Sequence, residues 1–169
     1  MSLEEKKQQI IEDFGQFDEW LDKYEYLIEL GKNLEPFPED KKTEDRLIKG
    51  CQSRVWLDCE KRDGRLWFTA DSDAIITKGI ISLLIDVYSG CTPEEIAGDD
   101  FAFLEEIGLR ENLSPTRANG LVSMIETIKK NARERSTYSG GRAGAAAHVC
   151  GSDSGNQGGL RPRNPRKRL

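Results

Sequence analysis

A chain of 169 residues is long enough for one domain with a genuine core and too short for two comfortable ones. Its longest apolar run, residues 80–88, is broken by Ser82 and Asp86 and falls short of the roughly 20 residues a membrane-crossing helix needs, which excludes a membrane protein of that kind. The formal charge of -5 divides unevenly, with 19 Lys/Arg against 29 Asp/Glu in residues 1–136 and a net +5 beyond, and so acidic a body excludes nucleic acid as the main partner because phosphate contacts need clustered cations.

The chain opens MSLEEKKQQI, without the basic start and apolar stretch of a secretory leader, so a cytoplasmic location is expected. Ile10, Phe14, Phe17, Leu21, Tyr24 and Ile28 then recur every three or four positions, the stripe of a helix laying one face on a core. Gly15 divides this stretch into a short and a longer helix, and Gly31 is the expected C-terminal stop. Residues 32–45, with Pro36, Pro38 and many charges, read as an extended surface connection.

From residue 54 to 60 the pattern alternates, with Val55, Leu57 and Cys59 on one face and Trp56, Asp58 and Glu60 on the other, as in a half-buried strand. A turn at Asp63 and Gly64 leads to a second alternating run at residues 66–70, so the two should pair as an antiparallel hairpin. Residues 46–49 are a candidate third strand. Cys51 therefore falls on a tight connection at the sheet margin. Asp71 and Asp73 are read as acidic caps of a helix over residues 74–88 rather than as half a metal site, and that helix is apolar around nearly its whole circumference and so central. Gly90 ends it. Thr92-Pro93-Glu94-Glu95 has capping-box spacing for a short helix, another spans residues 100–107, and Ser114-Pro115 opens a last helix with Leu121, Ile125, Ile128 and Ala132 on one face. The fold class is α+β, a small antiparallel sheet of about three strands packed with helices. The domain is expected to fill residues 1–136; residues 137–169 form a low-complexity basic tail, read either as disordered sequence added by cloning or as a basic arm.

Cysteines at 51, 59, 91 and 150 include no CxxC pair, against a disulfide scaffold or zinc ribbon. The sole histidine, His148, lies in the tail, so the body has no imidazole for a Ser/His or Cys/His pair. By residue pattern alone Cys51 is open to two readings, a small buried hydrophobe or a nucleophile. Cys59 reads as core and Cys91 as a loop residue. Trp56 and Trp67 either pack under a helix or contribute to a docking surface.

Gly50-Cys51-Gln52-Ser53 followed by Val55-Trp56 resembles the GCQSxVW signature of the SufE family. Three further segments agree in order and spacing: Tyr26-Leu27-Ile28-Glu29-Leu30-Gly31; Ala70-Asp71-Ser72-Asp73-Ala74 with Lys78-Gly79; and Leu113-Ser114-Pro115-Thr116-Arg117-Ala118-Asn119-Gly120. The resemblance spans about residues 10–136 and implies the α+β fold shared with IscU-type scaffolds. It implies that Cys51 accepts persulfide sulfur from a pyridoxal-phosphate-dependent cysteine desulfurase of the SufS or CsdA type. The desulfurase is stimulated in turn, and the sulfur passes to a SufBCD-type scaffold for iron–sulfur cluster assembly. The pyridoxal cofactor belongs to the partner and this chain is expected to hold none. Such a protein is an accessory carrier rather than a free-standing enzyme, and a monomer or weak homodimer is expected.

An attacking thiol is only a few per cent ionised at neutral pH unless something favours the anion. Arg117, within the family's SPTRxNG segment, is the candidate, with a structural capping or ion-pairing arginine as the equal alternative. Gln52 and Ser53 shape the loop, hydrogen-bond the sulfur, or satisfy backbone groups in the turn. A carrier must also shield its cargo from other thiols and oxidants, so Cys51 is expected to rest partly covered and to swing out on docking. Two competing functions differ in what they require. An IscU-like cluster scaffold needs several convergent thiolates, and a peroxidatic thiol enzyme needs a resolving cysteine.

Overall fold

The computed structural model describes residues 2–136; the expectations for the tail, with His148 and Cys150, lie outside the described residues. Helices α1 (Leu3–Gly15) and α2 (Trp20–Lys32) are followed by strands β1 (Val55–Arg62) and β2 (Arg65–Ser72). Helices α3 (Ile75–Tyr88), α4 (Pro93–Ala97), α5 (Phe103–Glu106) and α6 (Pro115–Glu134) complete the order. The α+β class holds, with two strands in the sheet rather than about three. Residues 44–46 form a 3-10 turn, and Leu47 makes only an isolated bridge to Trp56. The short apolar pair Leu47 and Ile48 supplies too few alternating positions for a strand of its own.

The hairpin forms as expected. Arg62 pairs with Arg65, and Asp63 and Gly64 both take positive φ, 55° and 78°, the geometry of the two-residue turns that match strand twist. Val55, Leu57, Leu66, Phe68 and Ala70 are buried in the core. Cys59, also expected there, is only half-buried, because β1 runs out toward solvent along its last residues. Trp56 is buried on the other face under the Lys42 ammonium, 5.1 Å from the ring centroid.

Helix α3 is the centre of the molecule, packed by both α2 and β2. Ile80, Ile81, Leu83, Leu84 and Ile85 are at most 2% exposed, each contributing roughly 1.5–3 kcal/mol from burial. Its contact with α2 is close because two glycines meet there. A Cβ on Gly79 would stand 2.2 Å from the Leu27 carbonyl oxygen, and one on Gly31 would stand 3.0 Å from the Gly79 nitrogen. Gly31 is thus a packing residue inside α2, not its stop; the helix runs on to Lys32 and is capped at Asn33.

The break at Gly15 is real, and it resets the helical phase. In α2 the buried face is Tyr26, Leu27 and Leu30, whereas Leu21, placed in a continuous stripe by the spacing, is 69% exposed. Asp71 and Asp73 do not cap α3, whose N-cap is Ala74 without a side-chain cap. Asp71 ends β2 and pairs with Lys42 at 3.1 Å and Lys78 at 3.3 Å. The capping box at Thr92 and Glu95 is present in both directions, and α6 begins on the Ser114 side chain with Pro115 in its first turn.

Candidate functional site

Cys51 lies on a short loop, residues 49–54, between the Leu47 bridge and β1. Its neck is closed where the Ile48 N–H donates to the Val55 carbonyl at 2.8 Å. Gly50 has φ 95°, and a Cβ there would stand 2.2 Å from Ser123 Oγ on α6, so the position demands glycine for its backbone and for the helix pressed against it. The Cys51 S–H donates to the Gly120 carbonyl at 3.7 Å. Residue 120 lacks a side chain at the point where a Cβ would already touch the sulfur, at 3.4 Å.

The other leg is tied to the start of α3. The Arg54 N–H donates to Asp73 Oδ1 at 3.1 Å, and the Arg54 carbonyl accepts from Ser72 Oγ at 2.8 Å and the Asp73 N–H at 3.2 Å. Ser53 Oγ lies 3.5 Å from Thr77 Oγ1. Asp73 therefore fastens the cysteine loop rather than capping a helix.

Between the loop, α3 and α6 lies a cavity of about 210 Å³, bordered by Cys51, Gln52 and Ser53, by Thr77 of α3, and by Thr116 and Arg117 in the first turn of α6. The structure thus brings four of the expected site residues, Cys51, Gln52, Ser53 and Arg117, to one space. Gly50 does not border it and acts through the backbone. The expected lowering of the Cys51 thiol is not found in this resting arrangement. Burial pushes the thiol up, and no neighbouring cation offsets it, Arg117 included.

Ser123, Thr77 and Gly120 were not singled out from sequence. A signal for two of them exists: Thr116, Gly120 and Ser123 are spaced four and three residues apart, which puts them on one face of a helix. Thr77 carries no such mark.

Cys59 is likewise driven upward, to about 11, by burial. Cys91, expected as an ordinary loop residue, is buried; its S–H donates to the Val87 carbonyl at 3.7 Å, and its backbone bridges Leu66. Among the described residues no group of three or more His, Cys, Asp or Glu side chains gathers as a metal site, and no helix is long and apolar enough to cross a membrane.

Comparison with known proteins gives a consistent result. Residues 8–132 match SufE, described as an Fe-S metabolism associated domain. The chain is 44% identical over 132 residues to an uncharacterized SufE-like protein of Rhizobium meliloti (strain 1021), covering 75% of this chain and 94% of that one. It is 42% identical over 132 residues to another from Rhizobium etli, covering 75% and 89%. The solution structure of a hypothetical protein from Thermus thermophilus superposes with a TM-score of 0.64 at 22% identity, over 76% of this chain and 94% of that one, a likeness of fold. With its cysteine loop seated against two helices and a family match across nearly all the described residues, the chain belongs to the SufE family and has a role in iron–sulfur metabolism.

Proposed function

We propose that Cys51 is a sulfur acceptor: it takes persulfide sulfur from a cysteine desulfurase of the SufS or CsdA type and passes it to a SufBCD-type cluster scaffold, stimulating the desulfurase by removing its product. The observation that carries this reading is a half-buried thiol facing a small cavity, on a loop whose only side-chain tie at the sulfur is a long, weak hydrogen bond.

The transfer is an exchange with no net oxidation. The Cys51 thiolate attacks the terminal sulfur of the donor persulfide, a new S–S bond forms at Cys51, the donor's S–S bond breaks, and the donor cysteine leaves as a thiolate. The proton lost from Cys51 balances the one the leaving thiolate can take up. Because burial keeps the resting thiol protonated, the attack requires the loop to move Cys51 out of its seat, where water or the partner's groups stabilise the anion. Arg117 at the cavity wall is then placed to hold the terminal sulfur anion once the loop returns. A role as a cluster scaffold has less support, since Cys51, Cys59 and Cys91 form no common ligand cluster.

Intact-protein mass spectrometry after incubation with a SufS-type desulfurase and free cysteine tests the reading. The parent should gain one sulfur and Cys51→Ser none. Sulfur on both, or on neither while the desulfurase turns over, would sink it.

A further inference from the structure

Among the described residues, almost every Lys and Arg side chain is engaged by a carboxylate, a backbone carbonyl or an aromatic ring. The exceptions are Lys32, Lys49, Arg54, Arg117 and Arg133, for which the structure gives no such partner. Three of the five surround one sulfur atom. Lys49 and Arg54 are exposed and stand on the two legs of the Cys51 loop, just inside the bond that closes its neck. Arg117, also exposed, borders the cavity on the far side. Free cations are rare in a body whose net charge is -10 over residues 1–136, and their concentration here makes the mouth of the cysteine loop a positive collar on an otherwise negative molecule.

We propose that this collar is the docking surface for an acidic face of the sulfur-donating desulfurase, an inference that rests on the acceptor role of Cys51. Sulfur exchange needs the two sulfur atoms in contact, so the donor must present itself to residues 49–54. Long-range repulsion between the negative body and an acidic donor disfavours every approach except the one that leads with the collar. Charge thereby orients the encounter and raises the association rate, with little effect on the chemical step once docked. The unpaired state of Lys49 and Arg54 fits this task, since neither must give up an internal partner when it meets a carboxylate.

The test compares the full chain with Lys49→Gln/Arg54→Gln and Lys49→Glu/Arg54→Glu, leaving Arg117 in place, against a SufS-type desulfurase with free cysteine. The second-order rate constant for sulfur loading should fall about tenfold or more in the Glu pair at low ionic strength, with the Gln pair between. The parent's rate should drop with added salt while that of the Glu pair stays flat or rises. Loading at saturating desulfurase should reach one sulfur per chain in all three. Equal rates and equal salt dependence would overturn the collar while leaving Cys51 as acceptor. Binding titrations with the same variants in a Cys51→Ser background separate the two ideas: salt-sensitive binding lost in the Glu pair supports the collar even if no sulfur is transferred. Unchanged binding refutes it. If salt and charge reversal instead change sedimentation of the protein alone, the collar joins two copies of this chain and the desulfurase assignment falls.

Discussion

Gly50 is the position where the site makes its strictest demand. An alanine there must hold φ near 95° and also find room against Ser123 Oγ, 2.2 Å from its Cβ. Gly50→Ala should cost about 1–3 kcal/mol in urea denaturation and slow sulfur loading. Adding Ser123→Gly should return only the steric share, and complete recovery would show that the backbone conformation is not the constraint. Cys59 gives a second residue-scale prediction, because its thiol is held protonated up to about 11 against an ordinary value of 9.0. Below pH 9 both folded and unfolded chains keep this proton and the contribution is intact. As pH rises from 9 to about 11 the unfolded chain loses the proton first, so stability falls, by at most about 2–3 kcal/mol. Cys59→Ala should flatten that part of the alkaline limb, and a limb unchanged by the substitution would count against the burial argument.

At the scale of elements, the α2–α3 contact is set by backbone meeting backbone at Gly79 and Leu27. No rotamer change relieves a clash with a carbonyl, so the helices must separate. Gly79→Ala should lose about 3 kcal/mol or more, with the melting temperature as readout; a loss under about 1 kcal/mol would mean the crossing is softer than the structure implies. Because Thr77 and the loop-fastening Asp73 stand beside the start of α3, the same variant should also raise alkylation of Cys51. The spacing of apolar residues marked α3 as the buried helix and α6 by its Ser-Pro start, since both signals are local. It misplaced the face of α2, because the chain between Gly15 and Trp20 turns the second helix relative to the first, and that rotation is a matter of packing.

For the whole molecule, Asp99 ties distant parts together. Its carboxylate meets Lys7 Nζ of α1 at 2.5 Å, the Tyr88 hydroxyl of α3 at 2.6 Å and the Phe101 N–H at 3.1 Å. Burial alone would raise its pKa, but the hydrogen bonds from Lys7 and Tyr88 outweigh it and hold the group below the ordinary carboxylate value. The stabilisation is therefore present above the unfolded value near 4 and is lost as pH falls through the lower folded one. Asp99→Asn leaves the Lys7 ammonium, 12% exposed, without its counter-charge. It should cost about 2–4 kcal/mol at neutral pH and make the acid limb shallower; equal denaturation midpoints at pH 7 would refute the linkage. The amino-acid sequence by itself determined the α+β class, the hairpin, the central helix, the capped starts of α4 and α6, and Cys51 as a presentable residue on a tight turn. Each of these depends on neighbours within a few positions or on apolar periodicity. Only the tertiary structure decided that Gly50 seats on Ser123, that Asp73 fastens the loop, that Arg117 shares a cavity with Cys51, and that the resting thiol is pushed up rather than down. Those outcomes depend on desolvation and on contacts between residues such as Cys51 and Gly120, 69 positions apart, and neither is written in local pattern.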